Sequence, residues 1–124
     1  MASSGADHIA MQFDRGYVFD GRCPSREIMV HLTGKWSVLL LIALRDGTMR
    51  FAELRRKVNG VSERMLAKSL QQLEAHHLLV RTSYPVVPPR VEYMLTPLGQ
   101  EAAARIASLT DWIEEHVHDL AETR

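Results

Sequence analysis

A chain of 124 residues and 14.1 kDa has room for one hydrophobic core and not for two. With 46% hydrophobic and 24% charged residues it has an ordinary globular composition, and its longest uncharged apolar run, 37–44, falls well short of the roughly 20 residues of a membrane span. A formal net charge of zero argues, at first sight, against a nucleic-acid partner.

The address follows from two negatives. The first twenty residues lack a basic start followed by an apolar core, so no secretory signal is expected. The single cysteine, Cys23, cannot form an internal disulfide and fits a reducing compartment, so the expectation is a cytoplasmic protein with no membrane partner.

The distribution of charge reverses the impression left by its sum. Residues 45–90 carry nine arginines and lysines against four acids, whereas residues 91–124 carry two against seven. A basic middle beside an acidic tail suggests one surface suited to phosphates and another kept from them.

Residues 1–22 are polar with scattered aromatics (Phe13, Tyr17, Phe19) and no period, which predicts an N-terminal arm, partly disordered or packed on a neighbour. A helix starts near Pro24 or Ser25, with Ile28, Met29 and Leu32 apolar, and stops at Thr33-Gly34. From Lys35 to Arg45 the chain is apolar nearly all round, through Trp36, Val38 to Ile42, Ala43 and Leu44, so this helix belongs at the centre. Asp46-Gly47 ends it. A very short strand at Met49 to Phe51 precedes a two-turn helix with Phe51, Leu54 and Val58 inward and Arg55, Arg56 and Lys57 outward. The methionines read as gap fillers in the core.

The organising stretch is Phe51 to Leu79. Asn59-Gly60 is a turn signal, and the Ser62 hydroxyl can accept from the open backbone N–H groups of the next helix. In that helix Leu66, Leu70, Leu73 and His77 fall on one side at 100° per residue. Arg64, Lys68, Gln71 and Ala75 fall on the other, flanked by Met65 and Gln72. Residues 78–84 and 90–96 then alternate as strands around the stiff segment Pro85 to Pro89. Thr96 caps a last helix with Pro97 at its first position, running to about Ala121, roughly 37 Å at about 1.5 Å per residue. Its stripe of Leu98, Ala102, Ile106, Leu109, Ile113, Val117 and Leu120 is long for so small a domain, and part of it is expected to meet a second subunit.

Two helices followed by a hairpin make a winged helix-turn-helix, a mainly α fold with a small β-hairpin wing. The major groove admits one α-helix, and base edges there distinguish all four pairs. Arg64 can reach guanine, Gln71 or Gln72 can bridge adenine, and Lys68 more plausibly meets phosphate. Arg81 and Arg90 near the hairpin suit phosphate or the minor groove, although Arg90 equally suits a cross-strand acid.

Several motifs make the reading specific. They are Cys23-Pro24, Gly34-Lys35-Trp36, Arg50-Phe51 with Leu54-Arg55, Gly60-Val61-Ser62 with Met65-Leu66, Leu73-Glu74, Tyr84-Pro85, Val87-Pro88-Pro89 with Val91-Glu92-Tyr93, and Leu95-Thr96 with Gly99. Over residues 23–121 the chain resembles the HxlR-type family of bacterial transcriptional regulators. The resemblance implies a homodimer joined through its first and last helices, with Ile28, Ile106, Leu109, Ile113, Val117 and Leu120 at the contact. Each subunit would read half of a near-palindromic double-stranded DNA operator. The DNA-binding set is then Arg50, Arg55, Ser62, Arg64, Met65, Lys68, Gln72, Arg81 and Arg90. Residues 1–22 would be the arm, and residues 23–124 the DNA-binding domain with its dimerisation helix at about 97–121. Some relatives of this type sense electrophiles or oxidants through a cysteine in this region, which makes Cys23 a candidate thiol sensor. A following helix N-terminus and nearby Arg22 and Arg26 would favour its thiolate. A structural Cys-Pro pair is the alternative.

No other chemistry is expected. His76, His77, His116 and His118 do not pair at i, i+4, so no metal is expected. There is no glycine-rich phosphate loop or paired-carboxylate site, hence no cofactor and no catalytic residue. The leading expectation is a DNA-binding regulator, most simply a repressor, tuned by a small molecule or by thiol modification. The alternative is a winged-helix protein-interaction module that does not bind DNA.

Overall fold

The computed structural model describes residues 15–121. The chain forms two compact units, one up to Gly34 and one from Lys35 onward. Most of the expected N-terminal arm lies outside the described residues.

In the first unit, a turn at Asp20 to Cys23 leads into helix α1 (Ser25–Thr33). The Tyr17 and Phe19 rings meet edge to face at 5.8 Å. Arg26 ties the turn to the helix, its guanidinium donating to the carbonyls of Val18 (3.1 Å) and Phe19 (2.9 Å). Gly34 ends α1 in extended backbone that any residue can adopt (φ −60°, ψ 152°). No residue of α1 is buried, and Ile28, Met29 and Val30 are exposed.

The second unit opens with α2 (Lys35–Ala43), continued by a 3₁₀ turn at Leu44–Asp46. It packs against the later helices through Leu40, Leu41 and Leu44, which are fully buried, as its sequence without a polar face requires. Strand β1 (Met49–Arg50) leads into α3 (Phe51–Lys57), and α4 (Glu63–Ala75) follows after a five-residue turn. Leu54, Leu66, Leu70 and Leu73 complete the leucine core. Full burial of each such side chain contributes roughly 1.5–3 kcal/mol. Among the described residues no methionine is buried: Met29, Met65 and Met94 are exposed and Met49 is half-buried, contrary to the gap-filling expectation, because leucines already occupy the interior.

The hairpin β2 (Leu79–Tyr84) and β3 (Arg90–Leu95) joins β1 in a three-stranded antiparallel sheet of order β1-β3-β2. Its register pairs Leu79 with Leu95, Arg81 with Tyr93 and Tyr84 with Arg90, and β1 adds Met49 opposite Tyr93 and Arg50 opposite Glu92. His77 is not part of the apolar stripe of α4. It lies beyond the helix end with φ +62°, reversing the chain into the sheet.

The last helix differs from its expected span. Helix α5 (Pro97–Glu115) ends at His116, whose ring stacks on Trp112 and stands 2.8 Å from the Trp112 carbonyl; a short α6 (Val117–Leu120) follows. Its core-facing side also differs. Gly99, Ala103 and Ala107 are the buried residues, while Leu98, Leu109, Trp112 and Ile113 remain exposed. Small side chains four apart let α5 come close to its neighbours, and the bulkier stripe is turned away. The approach is close at Gly99, where a Cβ would collide with the Leu78 carbonyl. No single described helix is long and apolar enough to cross a membrane.

Candidate nucleic-acid interface

Local sequence builds the helix-turn-helix. Val58 and Val61 are buried and anchor the turn, while Gly60 adopts φ +96°, which an L side chain takes only with strain. The Ser62 hydroxyl accepts the Met65 N–H at 3.1 Å, capping α4 as expected. The thirteen residues of α4 bury Leu66, Ser69, Leu70 and Leu73 and leave Arg64, Met65, Lys68 and Gln71 exposed. Gln72 is half-buried and stands beside that face, not at its centre.

Helix α3 presents Arg55, Arg56 and Lys57 outward. Arg55 is engaged: its Nη1 lies 2.7 Å from Glu63 Oε2, bridging the last turn of α3 to the first residue of α4. With side-chain exposures of 48% and 70%, the pair contributes only about 0–1 kcal/mol to stability. Sequence spacing gave no sign of it, because the two residues lie eight apart across a turn. At the start of α3 the Arg50 N–H donates to Glu53 Oε1 at 2.7 Å, and the Arg50 side chain is exposed.

The wing separates two arginines that look equivalent in the sequence. Side chains alternate along a strand, so Arg81 shares a sheet face with Leu79, Tyr93 and Leu95, and Arg90 shares the opposite face with Tyr84, Glu92 and Arg50. Arg81 is exposed. The Arg90 guanidinium sits 4.6 Å above the Tyr84 ring, with its Nε 3.5 Å from Glu92 Oε2. Arg90 is therefore held within the wing by an aromatic cross-strand partner and an acid on its own strand. Beyond it, Val87 is 99% exposed at the tip of the loop, and an open cleft between the tip and α3 is lined by Arg50, Phe51, the loop residues Val86 to Pro89 and Arg90 of β3.

Cys23 lies in the first unit and is buried. The Ser25 hydroxyl donates to its Sγ at 3.3 Å and the Tyr17 N–H at 3.2 Å. These hydrogen bonds, that from Ser25 foremost, hold the thiol below its ordinary pKa. The cause differs from the expected arginines. Arg22 is bound to Asp20 at 2.9 Å and Arg26 to the backbone carbonyls of Val18 and Phe19. Among the described residues no group of three or more His, Cys, Asp or Glu is placed to hold a metal ion.

A winged helix-turn-helix whose second helix exposes a basic face has counterparts among known proteins. The sequence matches the HxlR-like helix-turn-helix family over residues 31–121. The chain belongs to this family. It is 52% identical over 116 residues to the HTH-type transcriptional regulator YtfH of Escherichia coli K12, covering 94% of this chain and 92% of that one. Among solved structures it is similar to the transcriptional regulator ytfH from Salmonella typhimurium, with a TM-score of 0.81 and 56% identity over 85% of this chain and 94% of that one. The redox regulator HypR in its reduced form gives a TM-score of 0.73 at 33% identity, over 81% and 99% of the two chains. As an HxlR-type member the protein is a DNA-binding regulator of transcription, and the mainly helical winged architecture expected from its sequence is the one observed.

Proposed function

We propose that this HxlR-type regulator is a cytoplasmic homodimeric repressor that reads a near-palindromic operator through α4. The observation that carries the reading is the division of that helix: its leucine face is buried in the core while Arg64, Lys68 and Gln71 stand exposed beside a capped N-terminus. Arg64, in the first turn, contacts a base edge; Lys68, Arg50 and Arg81 contact phosphate; and Met65 and Gln72 flank the reading face. Arg55 enters the same surface only when released from Glu63. Two such helices about 34–36 Å apart would meet successive major grooves.

The dimer contact is assigned to the apolar residues that α5 and α6 leave exposed. Leu109, Ile113, Val117 and Leu120 are between 41% and 55% exposed, and half-buried Ile106 continues the stripe. In the first unit, Ile28 on α1 is likewise exposed and is proposed as a contact residue of its own. For regulation, the hydrogen bonds from Ser25 and Tyr17 that hold the Cys23 thiol below its ordinary pKa, with the likeness to a redox regulator, support an electrophile or oxidant as effector.

The test is binding to duplexes from the protein's own promoter region, measured across salt concentrations. Lys68→Ala should weaken binding to every duplex and reduce the salt slope by about 1, while Arg64→Ala should cost about 1–3 kcal/mol and relax preference at one base pair per half-site. Wild-type affinity in both variants would remove α4 from the interface and favour a protein-interaction role.

A further inference from the structure

The interface contains one feature that works against phosphate binding. Glu63 is the first residue of α4, where a DNA-reading helix approaches its groove, and its carboxylate is bound to Arg55 of α3 at 2.7 Å. Among the described residues no carboxylate stands within ion-pair distance of Arg56, Lys57, Arg64 or Lys68, so these four neighbouring cations have no acid partner while the charge of Arg55 is balanced by Glu63. Both partners are largely exposed, so the pair is not a hidden structural staple.

We infer that the Arg55–Glu63 pair withholds Arg55 from DNA phosphate, which makes Glu63 a determinant of how much of the affinity is independent of sequence. The inference rests on the proposal that α4 and α3 face DNA. Its physical basis is counterion release: each phosphate neutralised by a free cation adds about −0.9 to the slope of log affinity against log salt. An arginine already neutralised by its own carboxylate adds nothing, because opening the pair leaves Glu63 to recruit a cation in turn. Every duplex offers the same phosphates, so a cation withheld lowers binding to all sequences alike and leaves a larger share of the remaining affinity to base edges.

Neutralising the carboxylate isosterically tests this. Wild type, Glu63→Gln, Arg55→Ala and the double variant are titrated with a short duplex of random sequence over a range of salt, after thermal melts confirm that all four fold. Glu63→Gln should steepen the slope by about 0.9, which corresponds to about eightfold tighter binding at 0.1 M salt. The double variant should lose that gain, since the effect acts through Arg55. A slope unchanged in Glu63→Gln, with wild type itself binding in a salt-dependent way, overturns the inference and leaves the DNA-binding assignment standing. An unchanged slope with lost selectivity at one C·G pair also overturns it, assigning the carboxylate to a cytosine edge instead. Absence of salt-dependent binding in wild type would overturn the DNA-binding assignment itself.

Discussion

Gly99 gives the most direct test of how the wing is seated. It lies in the first turn of α5, which Thr96 caps by accepting the Gly99 N–H at 3.0 Å. An added Cβ would meet the Leu78 carbonyl carbon at 2.9 Å and the Leu95 Cβ at 3.3 Å, and would collide outright with the Leu78 oxygen. That oxygen already accepts the Thr96 N–H at 3.0 Å, and the Thr96 hydroxyl donates to the His77 carbonyl at 2.8 Å. A Gly99→Ala chain must therefore move α5 away from the link between α4 and β2. Three hydrogen bonds at about 1 kcal/mol each, with overpacking of about 1–3 kcal/mol, give a loss of about 4–6 kcal/mol if all are broken and about 3 kcal/mol after partial relaxation. Against a total stability of about 5–15 kcal/mol, that is a large fraction. Urea unfolding followed by circular dichroism measures it, and at about 4 °C per kcal/mol the thermal midpoint should fall by more than about 10 °C. Gly34→Ala is the matched control. Its backbone is extended and its added Cβ would lie 3.6 Å from the Val30 oxygen, an ordinary contact, so stability should hold or rise by up to about 1 kcal/mol. Equal stabilities for the two variants would refute the close approach of α5 to Leu78.

Two further outcomes concern assembly and the thiol. Leu109 and Ile113 are 55% and 41% exposed, so covering each in a dimer contributes about 1 kcal/mol. Replacing both with glutamate in both subunits should weaken dimerisation by about 4 kcal/mol, roughly a thousandfold, read by sedimentation equilibrium; a dimer of unchanged affinity would place the contact elsewhere. For Cys23, loss of the Ser25 donor in Ser25→Ala destabilises the thiolate and raises the folded-state pKa, so the pH midpoint of alkylation should move upward. Cys23→Ser should keep DNA affinity and lose release by diamide or quinone, and retained release would end its role as sensor.

Local chemistry was legible in the sequence wherever neighbours along the chain decide the outcome. The leucine spacing of α4, the Ser62 and Thr96 caps, the turn at Gly60 and the proline-rich loop all operate over three to seven residues, and each stands as expected. Tertiary structure decided what depends on partners distant in sequence or on which side of an element is covered. Strand register put Arg81 and Arg90 on opposite faces, because a single shift in pairing reverses a side chain. The inward side of α5 went to Gly99, Ala103 and Ala107, because close approach selects small residues over the larger stripe that hydrophobic period highlights. The pairing of Arg55 with Glu63, and of Cys23 with Ser25 and Tyr17, required a folded turn to bring donor and acceptor together. Periodicity thus set which elements form, and packing set which of their charges remain free.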